Sequence, residues 1–200
     1  MSLKSILPAA LFALAATTAM AQAPAMPVRV SGTIVTFDGG LLSIRTDKGA
    51  DETLKLSPDL RVTALVNRQL SDINAGDYVG SAAVAGPDGK LHAQEVHIFA
   101  SNMRGAGEGH RPMAGPNQSM TNATVTTVLA DPTGHTLRLT YPGGEQDIEV
   151  GSDARIVQIV PGDRSLLKPG AAVSLFVSKA ADGTPTVRSI QAEKDGVKPL

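Results

Sequence analysis

Apolar residues recur at every second position through most of the chain, as in Val28, Val30 and Ile34, Leu42 and Ile44, Leu54 and Leu56, and later Leu137 and Leu139, Ile148 and Val150. Successive side chains of a strand point to opposite faces, so this alternation, rich in Val, Ile and Thr, predicts strands buried on one face. Turn-forming clusters separate the runs: Asp38-Gly39-Gly40, Asp47-Lys48-Gly49, Gly86-Pro87-Asp88-Gly89, Pro142-Gly143-Gly144 and Asp182-Gly183. Glycine supplies the positive φ that such hairpin turns need. Two stretches, "LSDINAGDYV" and "SLLKPGAAV", break the period and read as one short helical turn with a polar cap and a glycine stop.

The pattern repeats. "RVTALVNRQLSDINAGDYVGSAAVAGPDGKLHAQEVHIF" from Arg61 lies without a gap over "RIVQIVPGDRSLLKPGAAVSLFVSKAADGTPTVRSIQAE" from Arg155, an offset of 94 residues. Val62 falls on Ile156, Gly76 on Gly170, Val79 on Val173 and Val96 on Ile190. A tandem duplication is therefore expected, with boundaries set by the repeat. Five or so short strands with one helical turn before the fourth suit a small barrel, whose closure removes exposed edges. The expected fold class is all-β: two tandem small OB-like β-barrels over 28–100 and 121–195, joined by a Gly-rich linker over 101–120.

The ends read differently. Lys4, an apolar run from Ile6 to Ala16 and Ala19-Met20-Ala21 match a secretory signal over 1–21, cut after Ala21 and followed by a short lead over 22–27. Residues 196–200 form a C-terminal tail. The apolar run is shorter than the roughly 20 residues a spanning helix needs, so no membrane span is expected and the reading is a periplasmic protein. With 18 Lys and Arg against 19 Asp and Glu and 3% aromatic residues, the chain lacks the basic surplus of a nucleic-acid binder. Absence of cysteine excludes disulfides, thiol nucleophiles and Cys-based zinc sites.

Taken together, "INAGDYVG", "HAQEVHIF", "MRGAGEGHRP", "SMTNATV", "LKPGAAV" and "KDGVKP" resemble a family of exported bacterial proteins with paired OB-like domains of unknown function. The resemblance spans nearly all of the chain after the signal. "RGxGEGHRP" followed by "TMTNA" is its most specific mark; here "SMTNA" stands in that place, and Met113 occupies the position of the family's Trp. The resemblance implies fold and export and carries no established activity.

The linker is where chemistry concentrates. It has no apolar period and is dense in Gly, Pro, Asn and Ser, so the plainest expectation is a connector. A second reading makes "RGAGEGHRP" a recognition loop for an envelope protein or a small ligand, with Arg104, Glu108, His110 and Arg111 as contacts. Its glycines would let backbone amides converge on an anion; a structural role is equally open, with Glu108 and Arg111 pairing to seat the linker between the domains. A third reading is copper handling: Met103, Met113 and Met120 lie in or beside a polar segment with no core to fill, and thioether and imidazole ligands, here with His110, suit Cu(I).

Other groups carry less. His92 and His97 differ by an odd number and point to opposite faces of one strand, and His135 sits in a turn. Glu145, Asp147 and Glu149 line one strand face, which reads as a wet face rather than a Ca²⁺ site. No Gly-x-Ser-x-Gly elbow and no His-Glu-x-x-His motif occurs. The expectation is a non-enzymatic binding or structural protein with no cofactor, and copper handling as the alternative.

Overall fold

The computed structural model describes residues 27–113, 115–131, 134–179 and 184–199. The expected signal over 1–21, all but the last residue of the 22–27 lead, and the Asp182-Gly183 turn lie outside the described residues. The chain is all-β: β1 (Val28–Phe37), β2 (Leu41–Thr46), β3 (Asp51–Asn67), β4 (Tyr78–Ala85), β5 (Leu91–Ile98), β6 (Gly109–Pro112), β7 (Gln118–Asp131), β8 (Gly134–Tyr141), β9 (Gly144–Val150), β10 (Arg155–Pro161), β11 (Ala172–Lys179) and β12 (Pro185–Ala192). The two period-breaking stretches hold single 3-10 turns, Leu70–Asp72 and Arg164–Leu166. In the second, the Asp163 carboxylate accepts from the Ser165 amide at 2.7 Å, as a helix cap should.

Pairing closes two small barrels. In the first, β1, β2 and β3 are joined by β12 and β11: β12 runs parallel to β3, and β11 returns antiparallel to β1. In the second, β7, β8 and β9 are joined by β5 and β4, with β5 parallel to β9 and β4 antiparallel to β7. Each barrel thus takes three strands from one copy of the repeat and two from the other. This differs from the contiguous barrels expected over 28–100 and 121–195: neither range closes a barrel from its own strands. The period of two specifies which face of a strand is buried, but the two copies offer nearly equivalent edges, and periodicity cannot tell one from the other.

Between the barrels, β10 bridges β3 and β5, antiparallel to the first and parallel to the second. Leu65 pairs with Ile159, and these two residues coincide under the 94-residue offset. The parallel pairs obey the same symmetry, since Arg155 opposite Glu95 matches Arg61 opposite Ser189. The sheet is therefore two-fold pseudosymmetric about the Leu65–Ile159 pair.

Two cores fill the barrels. One joins Ile73, Val79, Val96 and Ile98 to Val125, Leu137, Leu139 and Ile148; the other joins Ile34, Leu42, Ile44 and Leu54 to Val173, Leu175, Val187 and Ile190. A third, smaller cluster of Leu65, Val157 and Ile159 lies on the outer face of the bridge, covered by Phe99, Met103 and Val197. Burying one such side chain contributes about 2 kcal/mol, so these clusters carry most of the fold's favourable energy.

A candidate recognition surface on the linker

The "RGAGEGHRP" segment is folded, and its glycine spacing explains how. Gly105, Gly107 and Gly109 have φ of +83°, +57° and +119°, which side chains other than glycine rarely adopt. Ala106 donates its amide to Met103 O at 3.0 Å and Glu108 to Gly105 O at 3.4 Å, so successive tight turns use the amides internally. Side chains from the barrel then hold the turns down: Tyr78 Oη and Asn122 Nδ2 both donate to Ala106 O, at 3.2 and 3.0 Å. Adding a Cβ at Gly107 would bring it within 3.2 Å of Asn122 Nδ2.

After these turns the chain becomes β6 and adds to the edge of β7, with His110 opposite Thr121 and Arg111 opposite Met120. The 101–120 linker therefore contains one strand and the start of the next. Its four recognition residues have distinct positions. Arg104 donates to Gly76 O at 2.5 Å and to Thr124 Oγ1 at 3.2 Å, with its guanidinium 5.8 Å from the centre of the Tyr78 ring. Arg111 donates to Gly107 O at 2.8 Å, and no ion pair joins it to Glu108 among the described residues. The expected Glu108–Arg111 seat is thus replaced by arginine-to-carbonyl bonds, because the turn brings the Gly107 carbonyl to the guanidinium. Glu108 and His110 remain exposed, the latter tied through Nδ1 to Thr121 Oγ1 at 2.8 Å. Burial raises the Tyr78 phenol above its ordinary pKa, and the nearby Glu108 charge adds to that rise.

The copper set does not converge. Met103 is packed in the apolar cluster against Leu65, Val157 and Ile159. Met120 is opposite Arg111, and the Met113 amide continues the ladder by donating to Gln118 O at 2.9 Å. Alternation places His110 on the face of the β6–β7 ribbon opposite to Met113 and Met120. Their thioethers therefore share no face with the imidazole.

The remaining polar groups are paired locally. His92 bonds Asp88 at 3.0 Å and His97 bonds Glu95; the odd spacing does not part them, because a bulge at Gln94 resets the alternation and leaves both on the outer face of β5, opposite Val84 and Gly80. Asp147 takes two bonds from Arg138, at 2.8 Å each, and Glu149 pairs with Lys90 at 2.8 Å, so two of the three acids of the stripe are ion-paired. No cluster of three or more His, Cys, Asp or Glu side chains fit for a metal occurs among the described residues.

One group escaped the sequence reading. Glu95 is fully buried on the outer face of β5, between His97 and the guanidinium of Arg155, whose Nη1 is 2.8 Å from Glu95 Oε2. Arg155 Nη2 also donates to Lys198 O at 2.5 Å, which ties the C-terminal tail to the bridge. The i, i+2 spacing of Glu95 and His97 puts them on one strand face and was visible in the sequence. Arg155 was not, because only the exchanged pairing brings β10 beside β5. With no exposed surface on Glu95, this triad holds the fold together and offers no site to a substrate. No protein-family model matches the chain, nor does any curated protein or solved structure.

Proposed function

We propose that the protein is an exported, non-enzymatic binding protein of two OB-like barrels, recognising a partner protein of the envelope through the linker and the barrel face beneath it. The observation that carries this reading is the way the linker is held. Tyr78, Asn122, Arg104 and Arg111 spend their hydrogen bonds on fixing the turns, while Glu108 and His110 stay exposed at the rim. A loop ordered before binding loses little entropy on association. The strand order of each barrel, first-second-third-fifth-fourth, supports the OB-like assignment, and the resemblance of the linker motif supports export. An exposed carboxyl and an exposed imidazole two residues apart suit a basic or hydrogen-bonding partner surface.

The test places a photo-crosslinking residue at position 106 and compares adducts formed in the envelope by the parent, by Glu108→Lys and by Asp59→Lys, an exposed acid on β3. The expected result is an adduct lost only with Glu108→Lys. Equal adducts from all three, or none from any, would overturn the reading. The same preparations titrated with Cu(I) should show negligible affinity. Tight binding abolished by changing Met103, Met113 and Met120 to Leu would replace partner recognition with copper handling.

A further inference from the structure

We infer that the chain is a covalently tethered pseudo-dimer: each copy of the repeat lends its fourth and fifth strands to the other copy's barrel, and the linker tethers an interlock that stands without it. The argument rests on where the cores come from. Of the buried residues in the core that includes Val79, six precede the linker and seven follow it; in the core that includes Ile34, the division is six and six. Neither half of the chain owns a core. Separating the halves would open both barrels and expose the Leu65, Val157 and Ile159 cluster as well.

The register shows which partner each half fits. Because Leu65 pairs with Ile159 and Arg61–Ala64 pairs with Ser189–Ala192 as Glu95–Ile98 pairs with Arg155–Gln158, each half sees the other as a near copy of itself. An isologous interface has this property: one patch, self-complementary about a two-fold axis. The exchanged arrangement also contains the β3–β10 pairing about the Leu65–Ile159 pair, which joins the two copies directly. This favours the interlock over a side-by-side arrangement with otherwise equivalent strand pairing. β6 and the turns before it are a cap seated on β7 and β4 rather than a hinge.

The experiment uses the full chain. A site-specific protease sequence is inserted at the exposed Pro116–Asn117 turn, and Val84 and Gln118, directly opposite each other on β4 and β7, are changed to Cys in a second version. The protein has no cysteine of its own. Opposed residues on neighbouring strands have Cα atoms about 4.5–5.5 Å apart, within disulfide range. Side-by-side barrels would leave positions 84 and 118 on different domains. The expected results are a cut protein that elutes as one particle with the mass of a single uncut chain, and fragments that stay joined on a non-reducing denaturing gel in the Cys version. Two separately eluting fragments, or fragments that form no disulfide, would overturn the inference. A cut particle of twice the mass would also overturn it, since the exchange would then run between chains.

Discussion

Replacing Arg155 with Ala should cost more stability than its half-exposed position suggests, because it strands a buried carboxylate. Glu95 has no solvent exposure, and its Oε2, which accepts no hydrogen bond, is held by the charge of Arg155, whose Nη1 is 2.8 Å away. Removing one partner of a buried ion pair typically costs about 3–5 kcal/mol. Here His97 remains bonded to the other oxygen, the charge of Arg29 also acts on Glu95, and the Arg155 guanidinium is 30% exposed, so part of the loss is recovered and about 2–3 kcal/mol is expected. For a chain of this size that corresponds to a Tm lowered by about 4–12 °C. Urea unfolding followed by far-ultraviolet circular dichroism suits a protein without tryptophan. Adding Glu95→Gln to Arg155→Ala should restore about 1 kcal/mol or more, since an amide carries no charge to strand. Arg61→Ala is the internal control. It is the pseudosymmetric arginine, it is exposed, and it has Ser189 rather than a carboxylate opposite, so its effect should stay within about 0.5 kcal/mol. An Arg155→Ala protein as stable as Arg61→Ala, or a double variant no better than the sum of its parts, would refute the reasoning.

Two other outcomes follow from the same geometry. The carboxyls of Asp51, Asp88 and Asp147 lie below their ordinary pKa, chiefly through side-chain bonds from Arg45, His92 and Arg138, and that of Asp38 through the Leu41 amide. A depressed folded-state pKa gives stability that is present above about pH 4 and lost as pH falls below it, while the raised Tyr78 phenol gives stability present below pH 10 and lost above it. Urea midpoints measured from pH 2 to 11 should fall at both ends, and a flat profile below pH 4 would contradict the assignment. Gly32→Ala should be severe, since the new Cβ would lie 2.3 Å from Arg45 O and 2.8 Å from Thr46 Cα on the neighbouring strand. Backbone cannot yield as a flexible side chain does, so a loss of about 3 kcal/mol is expected in the same assay, and a loss under about 1 kcal/mol would show that β1 and β2 can part there.

The linker divides into what a sequence can and cannot display. Its glycine spacing is legible as a turn signal, and alternation along β6 already separates His110 from Met113 and Met120 once the strand is known. That residues 109–112 form a strand was not legible, because four residues containing Gly and Pro carry no apolar period. The strand exists because the unpaired edge of β7 receives it, and the turns before it exist because Tyr78 and Asn122 meet the Ala106 carbonyl.

By itself the sequence determined the class of structure, the two copies, the placement of nearly every strand and the short helical turns before β4 and β11, though not the one at Ser101–Met103. Each of these depends on local properties: a period of two, a capped turn, glycine where φ must be positive. Only the tertiary structure decided which copy completes which barrel, and with it the meeting of Glu95 and Arg155 and the seam around Leu65 and Ile159. The physical reason is the duplication itself. Two edges of nearly the same pattern accept the same strand almost equally well, so the choice passes to the extra pairing of β3 with β10, a contact between residues ninety or more positions apart that no local pattern encodes.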